Sequence, residues 1–108
     1  DLILLGMGED GHTASLFPDT ASVTETARIA THVWPPDEAM HERISLTFPV
    51  INNAVNILLM ASGSNKAATI QSVVMDKKCK LPAARIRPEH GRFILLLDQS
   101  AAAALNEK

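Results

Sequence analysis

The residues best placed to do chemistry stand near the start of the chain. His12 directly follows the glycine-rich run Gly6-Met7-Gly8-Glu9-Asp10-Gly11, and Asp10 lies two positions before it. An imidazole titrates near neutral pH and can both take and return a proton, so His12 is a candidate general acid/base. Asp10 is near enough to orient the ring or to stabilise its charged form. Gly8 and Gly11 would let backbone amides come close to a ligand. The same pattern also describes a tight turn, with Asp10 as a turn residue and His12 as a helix-start hydrogen bonder. Both readings stand on pattern alone.

A second candidate lies at Ser62-Gly63-Ser64-Asn65-Lys66. Lys66 falls in the first turn of an expected helix, where the positive end of the dipole disfavours a cation. Free amides, small side chains and a lysine gathered there suit an anion such as phosphate. The alternative is a solvated lysine reaching away from the helix. Arg43 could clamp a phosphate bidentately, or pair with Glu42 or Glu38. His32, His41 and His90 are scattered without ligand spacing, so no metal is expected.

The glycine run fits G-x-G-x-x-G after a strand, which invites a dinucleotide site. That fingerprint needs a full helix behind the glycines and an acidic residue ending the next strand, about twenty residues on. Pro18 cuts any helix here to little over one turn, and the next strand ends in Trp34-Pro35-Pro36 without a carboxylate. The nucleotide reading is rejected.

The elements that must position these residues follow an α/β layout. Strands are expected at Leu2–Leu5, Arg28–Trp34, Arg43–Thr47, Val55–Ala61 and Phe93–Leu97, with a short helical turn from Pro49 through Asn53. Val55–Ala61 is nearly all apolar, as a strand buried on both faces of a parallel sheet should be. In Arg43–Thr47, Ile44 and Leu46 share one face with Phe48, and Arg43, Ser45 and Thr47 the other. Ser64–Met75 carries Ala67, Ile70 and Val74 at helical spacing, with Ser62 or Ser64 as cap. Lys77–Pro82 is a polar loop, and Asp98 can cap a closing helix over Ala101–Glu107. Strands alternating with helices predict part of a doubly wound, mostly parallel sheet with helices on both faces, Rossmann-like. The loops of His12 and Lys66 would then share its carboxyl edge, where ligands of open α/β sheets bind. So few helices would leave sheet surface uncovered. A chain that opens at Asp1 straight onto an apolar strand, with no initiator Met, reads as a piece of something longer.

Composition narrows the function classes. The chain has 108 residues, 46% apolar and 20% charged, with a net charge of −2, ordinary usage for one globular domain. The nearest thing to a basic stripe is Lys77, Lys78 and Lys80, so no nucleic-acid partner is expected. The longest apolar runs are too short to cross a bilayer, so neither is a membrane. Cys79 is the only cysteine, which excludes a disulfide framework and reads as a spare thiol in a reducing compartment. With no leader of the secretory kind, the cytoplasm is the expected location.

The segment Asp1-Leu2-Ile3-Leu4-Leu5-Gly6-Met7-Gly8-Glu9-Asp10-Gly11-His12-Thr13-Ala14-Ser15-Leu16-Phe17-Pro18 closely resembles the signature of the 6-phosphogluconolactonases. The likeness continues through Pro35-Pro36, Arg43-Ile44-Ser45-Leu46-Thr47, Pro49-Val50-Ile51-Asn52, Gly63-Ser64-Asn65-Lys66-Ala67, Leu81-Pro82-Ala83-Ala84 and Leu97-Asp98. The resemblance implies hydrolysis of 6-phosphogluconolactone to 6-phosphogluconate in the oxidative pentose phosphate pathway, without metal or cofactor. It implies a fold shared with the glucosamine-6-phosphate deaminases. It makes His12 the general acid/base supported by Asp10, and carries Lys66 and Arg43 over as phosphate and substrate contacts, with Gly8 and Gly11 in the loop around the substrate. Members of that family are roughly twice as long, with a Gly-Gly-Ser/Thr phosphate loop in the amino-terminal half. Only the carboxyl-terminal half is matched here, and such a piece alone is expected to be inactive.

Two other functions compete. The related deaminases follow their Asp-Gly-His segment with Asn-Glu-Pro, whose Glu takes part in catalysis. Here Leu16-Phe17 precedes the proline, so that carboxylate is missing. A sugar-phosphate-sensing regulator on the same fold would need a basic helix-turn-helix, and none is visible in these residues.

Overall fold

Apolar runs separated by glycine, proline and polar turns form five strands in two sheets, in a computed structural model that describes residues 1–37 and 41–105. In chain order the elements are β1 (Leu2–Gly6), β2 (Ala30–Val33), β3 (Arg43–Leu46), α1 (Phe48–Ile51), β4 (Asn56–Ala61), α2 (Ala67–Met75) and β5 (Arg92–Leu97). Short 3-10 turns occupy Ala21–Thr24, Ser64–Lys66, Pro82–Arg85 and Ala103–Leu105.

The expected parallel sheet is formed by β1, β4 and β5, with β4 in the centre. Gly6 pairs with Met60 and Met60 with Leu96, so the carboxyl ends of all three strands lie side by side. Strand β4 feeds α2, the crossover that a parallel partner requires. Residues at odd positions face the core: Leu5, Ile57, Leu59 and Ala61 are buried with Ile51 of α1 and Ile70 of α2. Even positions face the other way, and Leu2, Leu4, Met60, Ile94 and Leu96 remain between 39% and 57% exposed. Strand β4 is therefore not buried on both faces, because α1 and α2 add their buried side chains to the core on the odd-numbered face. The uncovered sheet surface expected from so few helices is this even-numbered face.

The smaller sheet departs further from the pattern. Strands β2 and β3 are shorter than the expected segments and pair antiparallel with each other, Ala30 opposite Leu46 and Val33 opposite Arg43. In β3 the apolar side chains point outward: Ile44 is 78% exposed, whereas Ser45 and the following Thr47 are buried. Internal hydrogen bonds explain the reversal. Thr47 Oγ1 donates to the carbonyls of Arg28 and Ile29, and Ser45 Oγ accepts from the Ser15 amide while donating to the Leu46 carbonyl. A buried hydroxyl is tolerated once its hydrogen bonds are made.

Other local expectations are corrected by the backbone. No helix follows His12: Thr13 and Leu16 form an isolated antiparallel bridge instead. The helical turn near Pro49 is present as α1. The helix after β4 opens with the 3-10 turn at Ser64–Lys66, and no serine side chain caps either segment. Asp98 does cap the Ala101 amide at 2.8 Å, but the segment beyond is a turn and the 3-10 turn Ala103–Leu105, with Glu107 outside the described residues.

Candidate active site

At the end of β1 the chain must turn back sharply, and the sequence supplies glycines to do it. The Gly11 amide donates to the Gly8 carbonyl and the Gly8 amide to the His12 carbonyl, both at 3.0 Å. Gly11 sits at φ +87°, in the left-handed region that favours glycine, and a Cβ there would press within 2.8 Å of Leu81. At Gly8 a Cβ would collide with the His12 imidazole and approach Asp10 Oδ1 to 2.9 Å. The turn thus folds the imidazole down over a bare backbone.

Asp10 fixes the ring. Its Oδ1 accepts from His12 Nδ1 at 2.7 Å and from the His12 backbone amide at 3.1 Å. Partial burial pushes the Asp10 carboxyl up, but the hydrogen bonds from the His12 amide and imidazole and the ring's charge outweigh it. The carboxyl is held below the ordinary aspartate value. A carboxylate only accepts, so Nδ1 carries a proton, and whenever the ring is neutral its lone pair is on Nε2. The imidazole also lies against the buried Phe17 ring, with centroids 4.6 Å apart and planes tilted by 35°.

The Lys66 loop meets this turn directly. Lys66 Nζ donates to the Met7 carbonyl at 2.6 Å, Asn65 Nδ2 to Glu9 Oε2 at 2.5 Å, and Thr69 Oγ1 to the Glu9 carbonyl at 2.7 Å. Lys66 is therefore folded in toward the turn rather than extended into solvent. Not every amide of its loop is free: the Gly63 amide donates to both carboxylate oxygens of Asp98 at 3.2 Å.

Together these groups border a cleft of about 880 Å³ at the carboxyl edge of the parallel sheet, lined by Gly8, His12, Ala14, Ser62, Lys66 and Asp98 among others. Of the predicted site residues, Gly8, His12 and Lys66 line it directly, and Asp10 is bonded to His12. Gly11 shapes the turn from outside, packed on Leu81. Arg43 does not line the cleft; its guanidinium lies 5.7 Å from the Phe17 ring centre. Glu42, a possible partner for Arg43, pairs instead with His32 at 3.1 Å, and Glu38 lies outside the described residues. Phe17, Ala14 and the cleft-lining role of Asp98 are absent from the sequence-derived site. Ala14 holds φ +52°, an unusual conformation for a residue with a side chain, and no pattern announces it. Among the described residues no three His, Cys, Asp or Glu side chains gather as metal ligands would, and no helix is long and apolar enough to cross a membrane.

A parallel α/β sheet with a histidine–aspartate pair and a lysine at its carboxyl edge places the chain in the open α/β class. The chain belongs to the glucosamine-6-phosphate isomerase/6-phosphogluconolactonase family, which it matches over residues 1–95. It is 42% identical over 102 residues to a probable 6-phosphogluconolactonase of Drosophila melanogaster, with 94% of this chain and 42% of the relative covered. The crystal structure of 6-phosphogluconolactonase from Leishmania guyanensis superposes with a TM-score of 0.86 at 29% identity, covering 99% of this chain and 42% of that one. The 6-phosphogluconolactonase structure from Trypanosoma brucei gives 0.85 at 33% identity, covering 98% and 42%. The chain thus spans well under half the length of the relatives it matches.

Proposed function

We propose that the protein carrying this chain hydrolyses 6-phosphogluconolactone to 6-phosphogluconate, with His12 as the general acid/base. The observation that carries this reading is the His12–Asp10 pair at 2.7 Å on the cleft, within a family whose similar members bear the lactonase name. Nε2 of the neutral imidazole takes a proton from water as the water oxygen attacks the lactone carbonyl. The resulting imidazolium is stabilised by the Asp10 carboxylate and returns its proton to the ring oxygen as the C–O bond breaks. The single product carries a carboxylic acid, ionised at neutral pH, and a free hydroxyl where the ring oxygen was. Imidazole supplies both proton transfers, so the scheme calls on no metal or cofactor.

Lys66 supplies positive charge beside the turn for the substrate's phosphate. Arg43, whose guanidinium lies over the Phe17 ring, is assigned a second substrate contact. Gly8 and Gly11 give the loop its close approach, and the cytoplasm is the proposed compartment. No carboxylate stands at Phe17, which sets the site apart from the deaminase scheme.

The test is acid release from freshly prepared lactone by the longest natural form of the protein, followed above the spontaneous background. Hydrolysis well above background is expected. Background-level hydrolysis together with tight sugar-phosphate binding would replace the lactonase reading with that of a sensor.

A further inference from the structure

Phe17 is 2% exposed, a core residue by burial, yet it touches two groups that a core residue has no need to touch. One is the His12 imidazole at 4.6 Å, and the other is the Arg43 guanidinium at 5.7 Å from the ring centre. The two arrive from separate elements. His12 comes from the turn after β1 of the parallel sheet, whereas Arg43 opens β3 of the antiparallel pair. The reversed faces of β3 explain the arrival of Arg43. Because Ser45 and Thr47 turn inward, Arg43, on the same side of the strand by alternation, is carried toward the segment after His12.

An aromatic face carries negative charge density and attracts a guanidinium, which an aliphatic side chain of similar bulk does not. The imidazole is held at two points, Nδ1 by Asp10 and its ring by Phe17, and both matter for aiming Nε2. We propose that Phe17 is a positioning residue for the lactone reaction, its ring seating Arg43 beside the site and fixing the plane of His12. This deepens the lactonase reading and rests on it.

The test replaces Phe17 with phenylalanines carrying one, two and three ring fluorines, in the longest natural form of the protein. Fluorination drains the ring face of charge while keeping its shape. KM for the lactone is expected to climb step by step, by about 3- to 10-fold across the series. In an Arg43→Met background the same series is expected to be flat, which a purely structural role would not produce. Phe17→Leu, which loses the ring altogether, is expected to lower kcat as well, by about 10-fold, with the cooperative melt retained. Its His12 ring protons should also lose the upfield NMR shift imposed by the neighbouring arene.

Robust wild-type hydrolysis with a flat fluorine series in both backgrounds would overturn the proposal and leave Phe17 as core packing. Absence of wild-type hydrolysis would instead refute the lactonase reading, and the positioning role with it. The His12 shifts would still report whether the contact exists.

Discussion

Gly8 is fixed by the imidazole that folds over it, since any side chain there strikes His12. Gly8→Ala is expected to lower kcat by about 100-fold, because the general base proposed at His12 would lose its alignment, with only a small change in thermal stability. Steady-state kinetics beside a melting curve would check this. Asp10 leads to a second expectation, in stability against pH. Its folded pKa is depressed, so the stabilisation it gives is present above the ordinary aspartate value of about 4 and is lost as pH falls through the folded value. Asp10→Asn should flatten that acid limb in melting temperature measured from about pH 5 to pH 3. It should also cut the lactonase rate, because an amide no longer enforces the Nδ1–H tautomer. The pair was legible in sequence because it is local: Gly11 alone separates Asp10 from His12, and the turn closes within one short run. Phe17 was not, since its contact with Arg43 joins distant segments and its burial looks like ordinary core.

Between elements, hydrogen bonds donated by side chains do the joining, two to backbone carbonyls and one to a carboxylate. Asn65, Lys66 and Thr69 pin the start of α2 to Met7 and Glu9, and so hold the β1 turn against the β4 loop. Lys66→Ala is expected to raise KM for the phosphorylated lactone by about 10-fold with a smaller effect on kcat. A comparison with the dephosphorylated lactone, which should be insensitive, checks the assignment to phosphate. On the smaller sheet, Thr47→Val leaves two carbonyl groups without their hydroxyl donor and should cost about 1–3 kcal/mol by denaturant unfolding. The alternation along Arg43–Thr47 announced a strand correctly. It could not announce which face turns inward, because serine and threonine buried by internal bonds invert the usual rule.

At the scale of the whole chain, the leucines of the even-numbered sheet face decide solution behaviour. An apolar stretch of this kind on β1, β4 and β5 exceeds what scattered surface residues present. The 108-residue chain is expected to bind a hydrophobic dye strongly. Leu4→Lys with Leu96→Lys should reduce the signal while shifting stability little, as dye titration and melting curves would show. The parallel sheet was legible in the sequence because apolar runs and the intervening helix specify it. The one-sided burial of β4 was not, since a run such as Asn56–Ala61 reads the same whether one face or both are covered. The catalytic claim is tested most directly by the His12→Gln variant of the longest natural form, assayed for 6-phosphogluconolactone hydrolysis beside the wild type. A fall in kcat of about 100- to 10,000-fold with KM little changed is expected for a general acid/base. Equal rates in the two proteins would contradict it and return His12 to a structural place in the turn.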